Sequence, residues 1–297
     1  MDEALFDRDF LRKLESLSYV ARRIYRGDTR GAHASVRRGT SLDFADFRTY
    51  QAGDDFRSID WSIFTRLDRL FVRLYAEEED LTVHVLLDAS ASMSYGAPPK
   101  IDYARRLAAA LGYVGIGSLD RVGVTTFAAG LGGALAPRRG KAQFFHLLDY
   151  MGRIRTEGGT DIARSLRDYA LRSRSPGLAI VISDLLEDSL EGYRTGLRAL
   201  TFHDFEVVLV HILDREEITP QTQGALRLTD IESGAVLPLT VDRSLLAAYR
   251  RRVEGYFGEI EDFCLKAGIE YLRAATLVPF EDVVLRYLRQ GAHLHSR

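Results

Sequence analysis

The feature that most constrains this chain is a series of short apolar runs set between amphipathic stretches. "LTVHVLL", "RVGVTTFA", "LAIVIS", "FEVVLVHIL" and "IEYLRAAT" are each strand-length. The first is a continuous apolar run without the in–out alternation of a sheet with one wet face, so it reads as a strand buried on both faces. Between them lie "KIDYARRLAAALGYVG", "AQFFHLLDYMGRI", "DIARSLRDYALRSR", "SLEGYRTGLRAL" and "SLLAAYRRRVEGYFGEIEDFCLKAG", and "FEDVVLRYLRQ" closes the series. All of these carry helical periodicity. Strands alternating with helices predict an α/β fold: a doubly wound, mostly parallel sheet with helices on both faces. "ALRLTDIESGAVLPLTV" breaks the alternation with two apolar runs around a turn, and it predicts a β-hairpin insertion at about 225–241.

The first 80 residues have a different texture. Leu11, Leu14, Leu17, Val20 and Ile24 mark an amphipathic helix. The stretch from Leu42 to Asp80 mixes aromatics, Arg and Asp, with "LFVRLYAEE" strand-like within it, and reads as irregular structure laid over the rest of the chain. The expected division is therefore 1–80, a helix and irregular segment packed on the core, and 81–297, the α/β domain. The 297 residues suffice for a sizeable core, and a formal net charge of -2 provides no global field for nucleic acid or an anionic membrane. One cysteine, Cys264, excludes an internal disulfide and reads as a small core residue. No stretch has the length and apolarity of a membrane span, and the acidic start "MDEALFDRDF" is unlike a signal peptide, so the cytoplasm is the expected location.

In an open parallel α/β sheet, ligands bind beyond the carboxyl ends of the strands, where the winding reverses. The loops at that edge carry Asp88, Ser90 and Ser92 after "LTVHVLL", Asp184 after "LAIVIS", and Thr160 in "EGGTD" before a helix. All five side chains offer oxygen, and none offers sulfur or imidazole nitrogen. Such a set suits a hard divalent cation, Mg2+ or otherwise Mn2+ or Ca2+, with water or a partner's carboxylate at the open corner. Positions 88, 90 and 92 would point the same way from an extended loop. The competing reading is that these residues are helix caps: Thr160 stands at a cap position, and Asp184 precedes the helix expected near Asp188.

Enzymatic readings lack necessary groups. Neither Ser90 nor Ser92 has the flanking glycines of a nucleophile elbow. Asp88 is followed two residues on by Ser90, where a haloacid-dehalogenase-like phosphatase would place a second aspartate. A magnesium-dependent phosphohydrolase stays as the alternative class, beside a purely structural rim with no bound ion. "GGALAPRRGK" fails the phosphate-loop spacing, and Ala142 stands where a hydroxyl is needed, so it reads as a basic loop between a strand and a helix. His84 and His211 fall in strands, His293 and His295 in the tail, and no zinc spacing appears. Asp54, Asp55 and Asp60 with Arg48, Arg57, Arg66 and Trp61 read as an ion-pair network and aromatic plug pinning the upstream segment to the sheet; the alternative is a surface for a partner. "EEED" from Glu77 to Asp80 reads as a solvated lead-in to the first buried strand.

"DASAS", "GGTD" and "ISD", in this order on this alternation, resemble the metal-ion-dependent adhesion site of von Willebrand factor A domains. Upstream, "R-x-Y-x-x-G-D-D-x-R-x-I-D-W" at 48–61, followed by "VRLYAEEED" and "LLDASASM", resembles the DUF58 family. These are bacterial proteins usually found beside MoxR-type AAA+ ATPases. The resemblance implies an A-domain-like fold with Ser90, Ser92 and Thr160 as hydroxyl ligands and Asp88 and Asp184 ligating directly or through water. It also implies a non-enzymatic, cation-dependent protein-binding module. The partner would supply an acidic side chain and would be a MoxR-type ATPase or its client, in chaperone-like assembly or maturation of protein complexes. Many members carry N-terminal membrane helices, and this chain resembles the soluble branch.

Overall fold

The structure, a computed structural model, describes residues 5–28, 44–51, 54–67, 69–75, 81–118, 120–187 and 190–294. The chain runs α1 (Arg8–Asp28), β1 (Phe44–Thr49), α2 (Trp61–Leu67), β2 (Phe71–Tyr75), β3 (Thr82–Asp88), α3 (Lys100–Gly117), β4 (Arg121–Phe127) and β5 (Leu131–Arg138). It continues with α4 (Lys141–Arg153), α5 (Ile162–Arg172), β6 (Leu178–Ser183), α6 (Leu190–Phe202), β7 (Glu206–Leu213) and the single-turn α7 (Arg215–Ile218). It ends with β8 (Gly224–Thr229), β9 (Val236–Val241), α8 (Arg243–Ala267), β10 (Glu270–Ala275) and α9 (Phe280–Leu294).

Six strands form the central sheet in the order β10-β7-β6-β3-β4-β5, all parallel except β5. The expected α/β architecture is therefore present. The uninterrupted apolar runs are explained by two cores, one on each face, because successive side chains on a strand point to opposite sides. Val83, Val85 and Leu87 of β3 and Ile180 and Ile182 of β6 join α1, α3, α4 and α9 on one face. Leu86 of β3, Ala179 and Val181 of β6 and Leu209 of β7 join α5, α6 and α8 on the other. Cys264 is fully buried in this second core, and burial pushes its thiol up to about 12. Helix α1 packs its Phe10 against Phe280 of α9, ring centroids 5.2 Å apart, and Lys13 pairs with Glu281 at 2.8 Å.

Three expectations need correction. The supposed basic loop is the edge strand β5, antiparallel to β4. Gly132, Gly133 and Pro137 disguise it; a Cβ on Gly132 would lie 2.6 Å from Thr126 Oγ1, and an edge strand tolerates the proline. The upstream segment is less irregular than it reads: β1 and β2 pair antiparallel, and α2 sits between them in sequence. Trp61 is no plug. It is the first residue of α2, 58% exposed and edge-on to Phe64, while Ile59 and the capping Asp60 are the buried residues beside it. Arg48 does pair with Asp54, at 2.8 Å. The Arg57 side chain, Glu77 to Asp80, Asp188 and the His293 and His295 side chains lie outside the described residues.

Candidate functional site

The winding reverses at β3: β4 and β5 lie to one side, and β6, β7 and β10 to the other. Adjacent parallel strands β3 and β6 run in register, with Leu87 opposite Ile182, so their last residues meet at one rim. Asp88 ends β3 fully buried, and Ser183, which ends β6, donates its hydroxyl to Asp88 Oδ2 at 2.6 Å. Asp88 Oδ1 accepts the backbone N–H of Ser90 at 2.9 Å, a tight Asx turn that swings the chain off the strand. Ala91–Ser94 then coil into a 3-10 helix, so the loop is not extended as expected. The hydroxyls of Ser90 and Ser92 nevertheless converge, 3.0 Å apart and both buried. Ser90 makes no side-chain cap bond, which removes the capping explanation for it.

The loop carrying Thr160 is sewn to this turn through the backbone. Ala91 N–H donates to Gly158 O at 2.9 Å, and Glu157 N–H donates to Ala89 O at 3.0 Å. Thr160 is not the cap of α5. That role belongs to Asp161, which accepts the N–H of Arg164 at 2.9 Å. The Thr160 hydroxyl instead donates to Glu232 Oε1 at 2.8 Å, and its N–H donates to Glu232 Oε2 at 3.1 Å. Glu232 belongs to the turn between β8 and β9.

Asp184 is buried just beyond β6. Its Oδ1 accepts the N–H of Leu186 at 3.1 Å, and its Oδ2 accepts from Lys100 Nζ at 2.7 Å. Leu185, between them, has φ 54, a left-handed conformation costly for leucine. It is held by the Ser183 hydroxyl, which accepts the Leu185 N–H at 2.9 Å, and by the Tyr256 hydroxyl donating to Leu185 O at 2.9 Å. Backbone held against its preference commonly marks a working site. Lys100, the first residue of α3, is completely buried and also donates to Glu217 of α7. Burial alone would lower the Lys100 pKa, but Asp184 and Glu217 outweigh it, and the net shift is upward.

Electrostatically this rim is short of positive charge. Burial first, and then the charge of Asp184, push the Asp88 carboxyl up to about 7, although hydrogen bonds from Ser183 and Ser90 pull the other way. His211 supplies no cation, because burial drives it down to about 4. It is a fixed neutral support: Nε2 donates to Asp184 O at 3.0 Å, and Nδ1 accepts from the Tyr271 hydroxyl at 2.9 Å. His84 is likewise a core residue, between Tyr169 and Ser175 O.

Asp88, Ser90, Ser92 and Asp184 thus lie at one rim, with the Thr160 loop tied to it. No cluster of three or more His, Cys, Asp or Glu suited to a metal occurs among the described residues. The hard-oxygen donors of Asp88, Ser90 and Ser92 fit a small divalent cation. Asp184 and Thr160 are already engaged, by Lys100 and Glu232. Sequence reasoning missed Lys100, Ser183, Glu217 and Glu232. A lysine opening a helix and a glutamate in a hairpin turn look like ordinary solvated residues.

The family model described as "Protein of unknown function DUF58" matches residues 46–255. Uncharacterised proteins of Mycobacterium bovis and Mycobacterium tuberculosis are 26% identical over 288 residues, covering 94% of this chain and 90% of theirs. Among solved structures, the conserved hypothetical protein BatB from Bacteroides thetaiotaomicron is 16% identical at a TM-score of 0.48, over 73% of this chain and 100% of that one. The SpRpn10 VWA domain is 9% identical at a TM-score of 0.41, over 69% and 94%. Likenesses of this degree add nothing to the fold read from the sheet itself. Among the described residues, no helix is long and apolar enough to cross a membrane.

Proposed function

Because the chain belongs to the DUF58 family, whose description carries no activity, we propose its function from the rim: a non-enzymatic protein-binding module that works through a divalent cation. Asp88, Ser90 and Ser92 would hold Mg2+, or Mn2+ or Ca2+, with Thr160 and Asp184 contributing directly or through water. The cation would supply an electrophilic contact for an acidic side chain of a partner protein. From the family resemblance, the proposed partner is a MoxR-type AAA+ ATPase or its client, with this chain as adaptor in assembly or maturation of complexes.

The observation that carries this reading is the fully buried Asp88 carboxyl, which accepts from the Ser183 hydroxyl and the Ser90 N–H beside the paired hydroxyls of Ser90 and Ser92. A buried carboxylate is stable only when paired or protonated, and a dication resolves the deficit. A second reading has its own support: Lys100 already neutralises Asp184, as a rim complete without an ion requires.

A thermal melt with and without Mg2+ separates the two. Saturating Mg2+ at about 100 times its Kd should stabilise the folded chain by about 2.7 kcal/mol. Asp88→Asn keeps the shape but removes the charge, so the Mg2+ response should disappear together with Mg2+-dependent capture of the ATPase. A wild-type chain indifferent to Mg2+, or capture that survives both EDTA and Asp88→Asn, overturns the cation-bridged mechanism.

A further inference from the structure

The hairpin of β8 and β9 has no evident place in a binding rim, yet its turn reaches that rim. The turn is built to aim one residue. Asp230 Oδ1 accepts the N–H groups of Glu232 at 2.9 Å and Ser233 at 2.6 Å. Asp230 N–H donates to Ala235 O at 2.8 Å, and Gly234, at φ 72, closes the turn by donating to Asp230 O at 2.9 Å. Glu232 so held grips both polar groups of Thr160, the side-chain hydroxyl at 2.8 Å and the backbone N–H at 3.1 Å.

Little else secures the hairpin. Its strands are exposed along most of their length, and Val241 at the base is their one buried residue. One face is nevertheless leucine throughout: Leu226 pairs with Leu239 and Leu228 with Leu237, the latter two exposed. A two-stranded hairpin is marginal alone, so the two-point contact at its tip sets where it lies.

We infer that Glu232 is a tethered self-ligand of the rim, standing where a partner's carboxylate would come and closing the hairpin over the site. This rests on the cation-holding reading above. Glu232 then has two effects. It adds a carboxylate to the cation's surroundings and strengthens cation binding. It also competes with any outside carboxylate, so a partner must displace the hairpin tip.

Mn2+ alone is the probe, titrated calorimetrically into the full chain, with hydrogen exchange followed over residues 224–241. The wild type should bind Mn2+ and gain exchange protection across the hairpin. Glu232→Gln should bind Mn2+ about tenfold more weakly and lose that added protection. Glu254→Gln, which removes the same charge from an exposed position on α8, should behave as wild type. A Glu232→Gln chain with wild-type Mn2+ affinity and wild-type hairpin exchange overturns the self-ligand and leaves the cation site standing. A wild-type chain that binds no Mn2+ overturns both.

Discussion

Lys100→Met asks which cation the rim depends on. The Lys100 ammonium is completely buried, 2.7 Å from Asp184 Oδ2, and its second partner Glu217 is mostly buried. At an effective dielectric of about 20, unit charges at that separation attract by about 6 kcal/mol. Desolvation of both ions cancels much of this, so the pair contributes little relative to an apolar replacement of both members. Removing one member is different, because it strands Asp184 beside Asp88 with neither charge compensated, and the expected cost is about 3–5 kcal/mol. For a chain of this size that lowers the melting temperature by on the order of 10 °C.

The sign with pH follows from proton linkage. The stranded carboxylate takes up a proton more readily folded than unfolded, so the variant loses stability as pH rises. The deficit should be largest near about pH 8 and smaller near about pH 5, where a proton replaces the ammonium. Added Mg2+ should recover more melting temperature in Lys100→Met than in the wild type, since Asp184 is released to support it. Differential scanning fluorimetry at both pH values, with Mg2+ or EDTA, reads all of this. A variant melting within about 2 °C of wild type at about pH 8 refutes the ion-pair argument. An equal deficit at both pH values shows that lost packing, and not stranded charge, is the cause.

Two further outcomes are expected. Burial, with Glu206 nearby, pushes Glu270 from an ordinary 4.5 to about 7, and its Oε1 has no hydrogen-bond partner among the described residues. The folded state therefore holds an extra proton in that window, and wild-type stability falls as pH rises through it. Glu270→Gln should remove this slope and melt higher than wild type above the window; identical pH profiles for the two proteins would contradict the assignment. Trp61 is the sole tryptophan and stands 58% exposed, so acrylamide should quench native fluorescence almost as well as it quenches free tryptophan. Strong protection from acrylamide would restore the aromatic-plug reading.

The legibility of this chain follows the range of the interactions involved. The strands β3, β6 and β7 could be read because each is a continuous apolar run, and burial on both faces requires that composition. The α8 helix could be read because its start is an Asp cap accepting the Leu245 N–H and its end is Gly268 at φ 68, both local signals. Edge strand β5 could not, since its exposed side and its glycines erase the pattern. Ser90 and Ser92 were legible as a pair, but the 3-10 turn that brings them together was not, because it depends on the Asp88 carboxylate turning back onto the Ser90 N–H.

What the sequence determined by itself is the class of the fold and the chemical character of one rim: hydrophobic period set the strands and helices, and oxygen-bearing residues fell at the strand ends. What only the tertiary structure decided is how that rim is charged and covered. Lys100 reaches Asp184 across 84 residues, and Glu232 reaches Thr160 across 72. Neither separation leaves a periodic trace. A periodic pattern records which face of one element is buried, whereas pairings between elements arise from sheet register and from how a helix or hairpin docks.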